Sequence, residues 1–430
     1  MHRPMVLARA LAALLLAATA GCRAPAPPER PSFVIVTLDA FRADRLEVYG
    51  GPPHLTPFLN GLAARSTVFE HATTPIGATH PAHASLFTGL YPGIHRVQRN
   101  GHHLDPRFTT LAERLTREGY ETAAFVQAGA LLGGAGLARG FAVHNDAASF
   151  HGSAEVTRSA EEWLARRDPA RPFLLWVHYF EAHLPFRLTS YSEPVMSARG
   201  GPLACGALTG QVRAYGSDEL PPGDSTRSDL AVLYDGAARE DDRCVMELLS
   251  AIASRGLWER TVTIVTADHG QLLGEHGRTG YGDVVWEDAL HVPLIVHAPK
   301  QAEQRLVEAR VSLIDVYPTI LEWLDLRRSS VLAGRSLLGA IRGEALDDVV
   351  VLASTPAPPD GDTTPDPNLV AAYLGSTKAI AGNGTLDVYD LASDPRELSP
   401  LPSSAQSSNL SLVEEARAHR RREREKSPAP

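Results

Sequence analysis

Three short segments of this chain carry residues that could do chemistry together. Thr79-His80-Pro81-Ala82-His83-Ala84-Ser85 sets a hydroxyl and two imidazoles at the start of a helix-like run. Val34-Ile35-Val36-Thr37-Leu38-Asp39 is a mostly apolar run ending in a carboxylate. Val262 to Ala267 is another, followed by Asp268-His269-Gly270. Open α/β sheets bind ligands at the carboxyl ends of their strands. Two such ends carrying Asp39, Asp268 and His269 could hold one divalent cation against the Thr79 hydroxyl. A cation there would make a poor alcohol nucleophile usable, and the following helix start would favour negative charge on the group attacked. The reaction this suits is hydrolysis of an ester of phosphorus or sulfur. Each segment also has a plainer reading: Asp39 and Thr79 are good helix N-caps, and Asp268-His269-Gly270 could be a turn after a strand. Two carboxylates, an imidazole and an alkoxide suit Mn²⁺ or Zn²⁺ better than Ca²⁺, which takes more oxygen ligands.

Further histidines stand in comparable settings. His178 and His183 close Trp176-Val177-His178-Tyr179-Phe180-Glu181-Ala182-His183, His276 lies in Gly274-Glu275-His276-Gly277, and His291 opens an apolar strand. His83 and His183 are candidates for proton transfer, and His178, His276 and His291 for binding the substrate's oxyanion. A hydrogen-bonded structural role is open to each of them.

The elements that would position these residues alternate strand and helix. Phe33 to Leu38, Glu121 to Val126, Phe173 to Val177, Thr261 to Thr266 and His291 to His297 read as buried strands. Leu55 to Arg65, Ser85 to Leu90, Phe108 to Glu118, Arg158 to Arg166, Ser228 to Arg255 and Leu313 to Leu326 read as helices. Such alternation predicts an α/β fold, a mostly parallel central sheet sandwiched by helices. Residues 187–223, rich in Ser, Gly and Pro, read as a surface excursion near the active face. Beyond Arg335 the rhythm changes to short antiparallel strands at 347–352, 369–373 and 385–389, a smaller C-terminal subdomain. The expected division is 32–334 catalytic, 335–401 C-terminal and 402–430 a charged tail.

A formal net charge of −9 over 430 residues argues against a nucleic-acid partner. Arg3 and Arg9 precede the apolar stretch Ala10 to Ala18, and Thr19-Ala20-Gly21-Cys22 resembles a bacterial lipobox. Residues 1–22 are therefore expected to be a lipoprotein signal ending at a lipidated Cys22, with 23–31 a Pro-rich tether to the membrane. That location implies a bacterial cell-envelope enzyme, lipid-anchored and facing the periplasm or outer surface, with an envelope lipid or glycan ester as substrate. Cys205 and Cys244 are the other cysteines, and they could pair or stay free.

From Ser32 to Leu401 the chain resembles the sulfatase family of the alkaline phosphatase superfamily. The likeness rests on the Asp39 strand end, Ala84-Ser85-Leu86-Phe87-Thr88-Gly89-Leu90-Tyr91-Pro92, and Thr110-Leu111-Ala112-Glu113 with Gly119-Tyr120. It extends through Thr266-Ala267-Asp268-His269-Gly270, Leu273-Gly274-Glu275-His276-Gly277, Val292-Pro293-Leu294-Ile295 and Val388-Tyr389-Asp390-Leu391. The resemblance implies an alkaline-phosphatase-like α/β/α sandwich and a metal-dependent ester hydrolase. Sulfatases proper carry Cys or Ser in Cys/Ser-x-Pro-x-Arg and oxidise it to formylglycine. Here Thr79 and His83 stand at the ends of that motif, and Ala40 stands where a second metal carboxylate often follows the first. The stretch after Gly119-Tyr120 lacks the Lys that many members direct at sulfate. A Thr nucleophile resembles the superfamily's phosphoesterases and phosphotransferases, so phosphate esters are expected ahead of sulfate esters. The alternatives are a sulfuric ester hydrolase, a phosphotransferase to an envelope lipid or glycan, and an inactive polysaccharide-binding relative.

Overall fold

The strand Ser32–Leu38 (β1) is buried along its whole length, which a β-branched, apolar segment achieves only in the middle of a sheet. A computed structural model of the chain puts it there. The model describes residues 30–127, 131, 135–146, 152–199, 224–356, 369–382, 385–402, 404, 411–412, 414–415 and 418. The signal and lipobox with Cys22, most of the tether, Cys205, much of the 187–223 excursion and most of the tail lie outside those residues.

The remaining strands of the main sheet are Thr67–Phe69 (β2), Glu121–Val126 (β3), Val143–Asp146 (β4), Phe173–Tyr179 (β5), Thr261–Ala267 (β6), Leu294–His297 (β7) and Arg305–Val307 (β8). Their order is β8-β2-β7-β6-β1-β5-β3-β4. β1 runs parallel to both neighbours, with Thr37 level with His178 on one side and Thr266 on the other. Only β7 runs antiparallel to the strands beside it. The backbone ladder continues one step beyond the strands, Asp39 N–H donating to the Tyr179 carbonyl at 2.8 Å and Asp268 N–H facing the Leu38 carbonyl at 3.4 Å. Both carboxylates are thereby delivered to the same edge of the sheet.

Helices cover the sheet. Asp224–Ser254 (α5 in chain order, after Pro57–Ala63, Thr79–Thr88, Leu111–Arg117 and Ser153–Arg166 as α1 to α4) buries Leu230, Leu233, Tyr234, Ala237, Val245, Leu248 and Ile252. That is the three-and-four spacing of a core-facing stripe. α3 starts from a reciprocal cap, the Thr110 hydroxyl accepting from Glu113 N–H at 3.1 Å and Glu113 Oε2 accepting from Thr110 N–H at 2.8 Å.

The expected run 291–297 is divided at Pro293, which has no N–H for a ladder. His291–Val292 pairs with Ala72–Thr73, while β7 joins the main sheet. The helix expected over 313–326 is tighter at its start, a short 3₁₀ turn at Leu313–Asp315 followed by an α-helix at Val316–Trp323. The C-terminal region is an antiparallel sheet of Val351–Ser354, Val370–Leu374, Thr377–Gly382 and Thr385–Asp390. Its third strand, rich in Ala and Gly, has little of the β-branched character that marks strands in sequence. Val351, Ala371, Tyr373 and Ile380 of this sheet pack on Val285 and Leu290, and Lys378 lies buried between Glu287 at 3.0 Å and Glu397 at 2.6 Å. Cys244 is free and buried within α5. Among the described residues no helix is long and apolar enough to cross a membrane.

Candidate active site

Asp39, Thr79, Asp268 and His269 meet at the carboxyl edge of β1 and β6, all at most 7% exposed. Thr79 is the first residue of α2, with Ala78 before it as N-cap, so the threonine hydroxyl is free of capping duty. Its Oγ1 lies 3.3 Å from His269 Nε2. His269 Nδ1 is 2.8 Å from the Gly270 carbonyl, which can only accept. The ring proton therefore sits on Nδ1, and Nε2 presents a lone pair. That lone pair faces Asp39 Oδ1 at 3.7 Å and Asp268 Oδ2 at 3.5 Å. Among the described residues neither carboxylate oxygen has a hydrogen-bond donor.

Three buried acceptors converging with only the Thr79 hydroxyl beside them as a donor are costly unless a cation or a proton lies between them. Ligand atoms of Asp39, Asp268 and His269 all fall within 4.8 Å of one another, so the residues present fit a divalent metal. The titration behaviour has the same origin. Burial opposes ionisation of Asp39, but His183, His178 and His269 around it outweigh that and hold its carboxyl below the usual range. Burial, followed by the charge of Asp39, pushes Asp268 up to about 6. Two carboxylates confined without a cation divide in this way, one keeping its charge and the other tending to keep a proton.

Beneath Thr79 lies a second layer. His83 Nδ1 donates to the Thr79 carbonyl at 2.7 Å, and its Nε2 is 3.1 Å from Thr37 Oγ1. Burial drives its basicity well down, so the ring is neutral. His178 touches Thr37 Oγ1 through Nδ1 at 2.9 Å and Asp39 Oδ2 through Nε2 at 3.3 Å. Both rings are fully enclosed, so neither has open access to a substrate. On the open side, His183 stacks on Phe180 and gives its Nδ1 proton to the Leu184 carbonyl. Its Nε2 then accepts from the Tyr281 hydroxyl at 2.6 Å. Tyr281 packs its ring 4.0 Å from the His269 ring, whose Nε2 is the atom 3.3 Å from the Thr79 hydroxyl.

The family profile described as Sulfatase matches residues 31–326. The chain belongs to the sulfatase family. Arylsulfatase K of Gallus gallus is 26% identical over 401 residues, covering 80% of this chain and 73% of that protein. Among solved structures, the phosphonate monoester hydrolase of Agrobacterium radiobacter superposes with a TM-score of 0.75 at 22% identity, covering 91% of this chain and 96% of that one. A protein solved in complex with its substrate D-glucosamine-2-N,6-O-disulfate also reaches 0.75, at 16% identity and 93% and 99% coverage. This sulfatase-family chain is an ester hydrolase on the α/β scaffold expected from its sequence.

Two of the histidines considered for substrate contact have other partners. His276 stacks on Trp286 with ring centroids 3.9 Å apart. His291 donates to the Glu70 carbonyl at 2.8 Å and lines a separate cavity of about 1010 Å³ with Arg42, Glu287 and Arg310. The structure does not bring either to the Thr79 cluster. Tyr281 was missed in the sequence, where the available signal was an aromatic residue between Gly280 and Gly282. Both glycines adopt positive φ, +86° and +106°, which lets the loop turn this ring inward. Arg42 buttresses the same loop, reaching Asp288 at 2.6 Å, Glu275 at 2.7 Å and the Gln271 carbonyl at 3.1 Å.

Proposed function

We propose that this chain hydrolyses phosphate-type esters through Thr79 as a covalent nucleophile, with Asp39, Asp268 and His269 holding one divalent cation. The observation that carries this reading is the Thr79 hydroxyl 3.3 Å from His269 Nε2 among the two carboxylates, with Tyr281 against the His269 ring and hydrogen-bonded to His183 Nε2 at 2.6 Å. It gives the nucleophile's proton somewhere to go. A bound cation would supply positive charge that favours ionised Thr79 and offsets charge developing on the ester oxygens.

The residues of the chain do the rest. Thr79 Oγ1 attacks phosphorus, its proton passes to the Tyr281 oxygen, and the Tyr281 proton passes to His183 Nε2. Burial keeps His183 below the ordinary imidazole range, ahead of the opposing pull of Asp39, so the ring starts neutral and can accept. Once protonated, His183 returns its proton to the departing alkoxide, acting as general acid. The positive end of the α2 dipole at Thr79 favours negative charge on the transferred group. Water then cleaves the Thr79 ester by the reverse proton route.

Threonine cannot form the formylglycine of sulfatases proper, and this supports phosphoryl chemistry. The arylsulfatase relative and the disulfated-glucosamine structure support sulfate esters of a glycan as the second reading. Envelope glycans or lipids remain the proposed substrates, reached from a lipidated Cys22.

The test is a panel of aryl phosphate mono- and diesters, a phosphonate monoester and an aryl sulfate, with Mn²⁺, Zn²⁺ or Ca²⁺. Thr79→Ala is expected to cost about 10⁴-fold or more in kcat, and Thr79→Ser to retain appreciable activity. A slow phosphoester should add its phosphoryl mass to the peptide containing Thr79. Turnover by Thr79→Ala near the parent rate would mean that water attacks directly, and exclusive sulfate cleavage would favour the second reading.

A further inference from the structure

The turn that carries His183 is held from three directions. It follows β5 as Phe180-Glu181-Ala182-His183, and His183 N–H closes it on the Phe180 carbonyl at 3.3 Å. Three of its other peptide groups bond to side chains from separate elements. Gln127, the residue after β3, accepts from Phe180 N–H through Oε1 at 3.0 Å. Asp241 of α5 accepts from Ala182 N–H through Oδ2 at 3.1 Å. Gln271, two residues beyond His269, donates from Nε2 to the Ala182 carbonyl at 3.1 Å. All three side chains are at most 1% exposed.

Two of them leave a polar atom stranded. Asp241 Oδ1 and Gln271 Oε1 are buried and have no hydrogen-bond partner among the described residues. An unpaired polar atom in the interior is costly, and an apolar side chain of similar volume would avoid that cost. What each side chain does make is a bond to the Ala182 backbone. Ala182 is joined directly to His183, so the two bonds fix the peptide from which that ring projects. The ring itself stacks on Phe180 and meets the Tyr281 hydroxyl at 2.6 Å.

We propose that Asp241 and Gln271 are positioning residues for His183, holding its Nε2 where it can return a proton to the departing alkoxide. Gln127 supports the same turn from its other end, bonding Phe180 N–H and donating from Nε2 to Glu181 Oε1 at 3.2 Å. Gln271 stands on the turn that follows Asp268 and His269. One hydrogen bond therefore sets the spacing between that turn and His183. A shift of about 1 Å in a reacting group can cost about 10²-fold in rate, so this spacing matters to the chemistry. The inference rests on the reading that His183 is the general acid.

The experiment uses the full chain loaded with Zn²⁺ and a series of aryl and alkyl phosphate monoesters whose leaving groups differ in basicity. The readout is kcat/KM, which reports the attack that expels the leaving group. Gln271→Met and Asp241→Leu are each expected to lower it about 10- to 100-fold for alkyl esters and less than about threefold for the ester of the most acidic phenol. Asp241→Asn keeps an acceptor for Ala182 N–H and should restore most of what Asp241→Leu loses. Zn²⁺ affinity should stay within about twofold of the parent in each variant. Thermal unfolding checks that the variants fold, and Gln271→Met decides alone if Asp241→Leu does not. A folded variant that slows all the esters alike, or none of them, overturns the proposal. Zn²⁺ lost from Gln271→Met also overturns it, because that side chain would then be serving the metal ligands. His183→Gln separates the two readings. An unchanged dependence on the leaving group there sinks His183 as general acid, whereas a dependence steepened there but not in Gln271→Met or Asp241→Leu sinks only the positioning.

Discussion

Tyr281→Phe isolates the proton route from everything else at the site. The change deletes one oxygen and keeps the ring, so the packing of that ring 4.0 Å from His269 survives. What disappears is the 2.6 Å hydrogen bond to His183 Nε2. In the parent the phenol stays protonated, because burial and then the nearby Asp39 and Asp268 push its pKa far up. It is thus a donor toward His183, and its oxygen keeps a lone pair for a proton from Thr79, which is the polarity the proposed relay needs. Positioned proton transfer contributes about 10²- to 10⁴-fold, equivalent to roughly 3–5.5 kcal/mol of barrier. The expected loss in kcat is therefore about 10²- to 10³-fold. The lost ground-state hydrogen bond should cost folding stability only about 1–2 kcal/mol. Steady-state rates on an aryl ester and an alkyl ester of the same acid give the sharper readout. The alkyl ester, with its more basic leaving group, should suffer more, because it depends on the proton returned by His183. Metal content should match the parent. If kcat fell less than about threefold for both esters, Tyr281 would be packing alone and the relay would be wrong.

Three further outcomes follow from the site and its supports. Lys378→Met should lower stability by about 3–5 kcal/mol in urea unfolding, because the buried Glu287 carboxylate loses its closer cation and keeps Arg310 at 3.5 Å, while Glu397, already pushed up to about 7 by burial, takes a proton; no measurable change would contradict the buried ion cluster. Asp268, pushed up to about 6, holds a proton below that pH in the metal-free chain and must release it to bind a cation. Zn²⁺ affinity should therefore fall by roughly tenfold or more per pH unit below about 6, and a flat profile in calorimetric titration would remove Asp268 from the ligand set. Mass spectrometry of the native N-terminal peptide should find lipidated Cys22, whereas an unmodified peptide spanning Gly21-Cys22 would rule out the anchor.

Asp39 and Asp268 were legible because an apolar strand running into a carboxylate is a costly pattern with few solutions. His269 was legible because it stands beside one of them. Strand and helix alternation was enough for the main sheet, whose buried parallel strands are chemically distinctive. Facing was harder. His178 ends an apolar strand, and only its register against Thr37 reveals that it lies under the site rather than open to a substrate. His291 pairs across to Thr73, a partner far away in sequence, and that pairing turns it toward another cavity. Tyr281 depends on the small hairpin in which Leu272 and Leu273 pair with Gly280 and Thr279. No local periodicity encodes that contact.

The change of rhythm near Arg335 invites cutting the chain there, but the contacts across it say otherwise. Gly270, directly after His269, donates its N–H to the Ala289 carbonyl at 2.8 Å, and an added Cβ would sit 2.2 Å from the Asp288 carbonyl oxygen. The turn Glu287–Leu290 that provides this seat is gripped from the far side, with Lys378 on Glu287 and Glu397 Oε2 accepting from Glu287 N–H at 2.6 Å. Lys378 and Glu397 thus clamp the turn that seats Gly270, next to the candidate ligands Asp268 and His269. A shortened protein ending near residue 335 should keep its large sheet yet lose its grip on the cation. Any chimera that exchanges the C-terminal sheet must bring a lysine and a glutamate at those two positions, or the borrowed sheet will leave the chemistry unsupported.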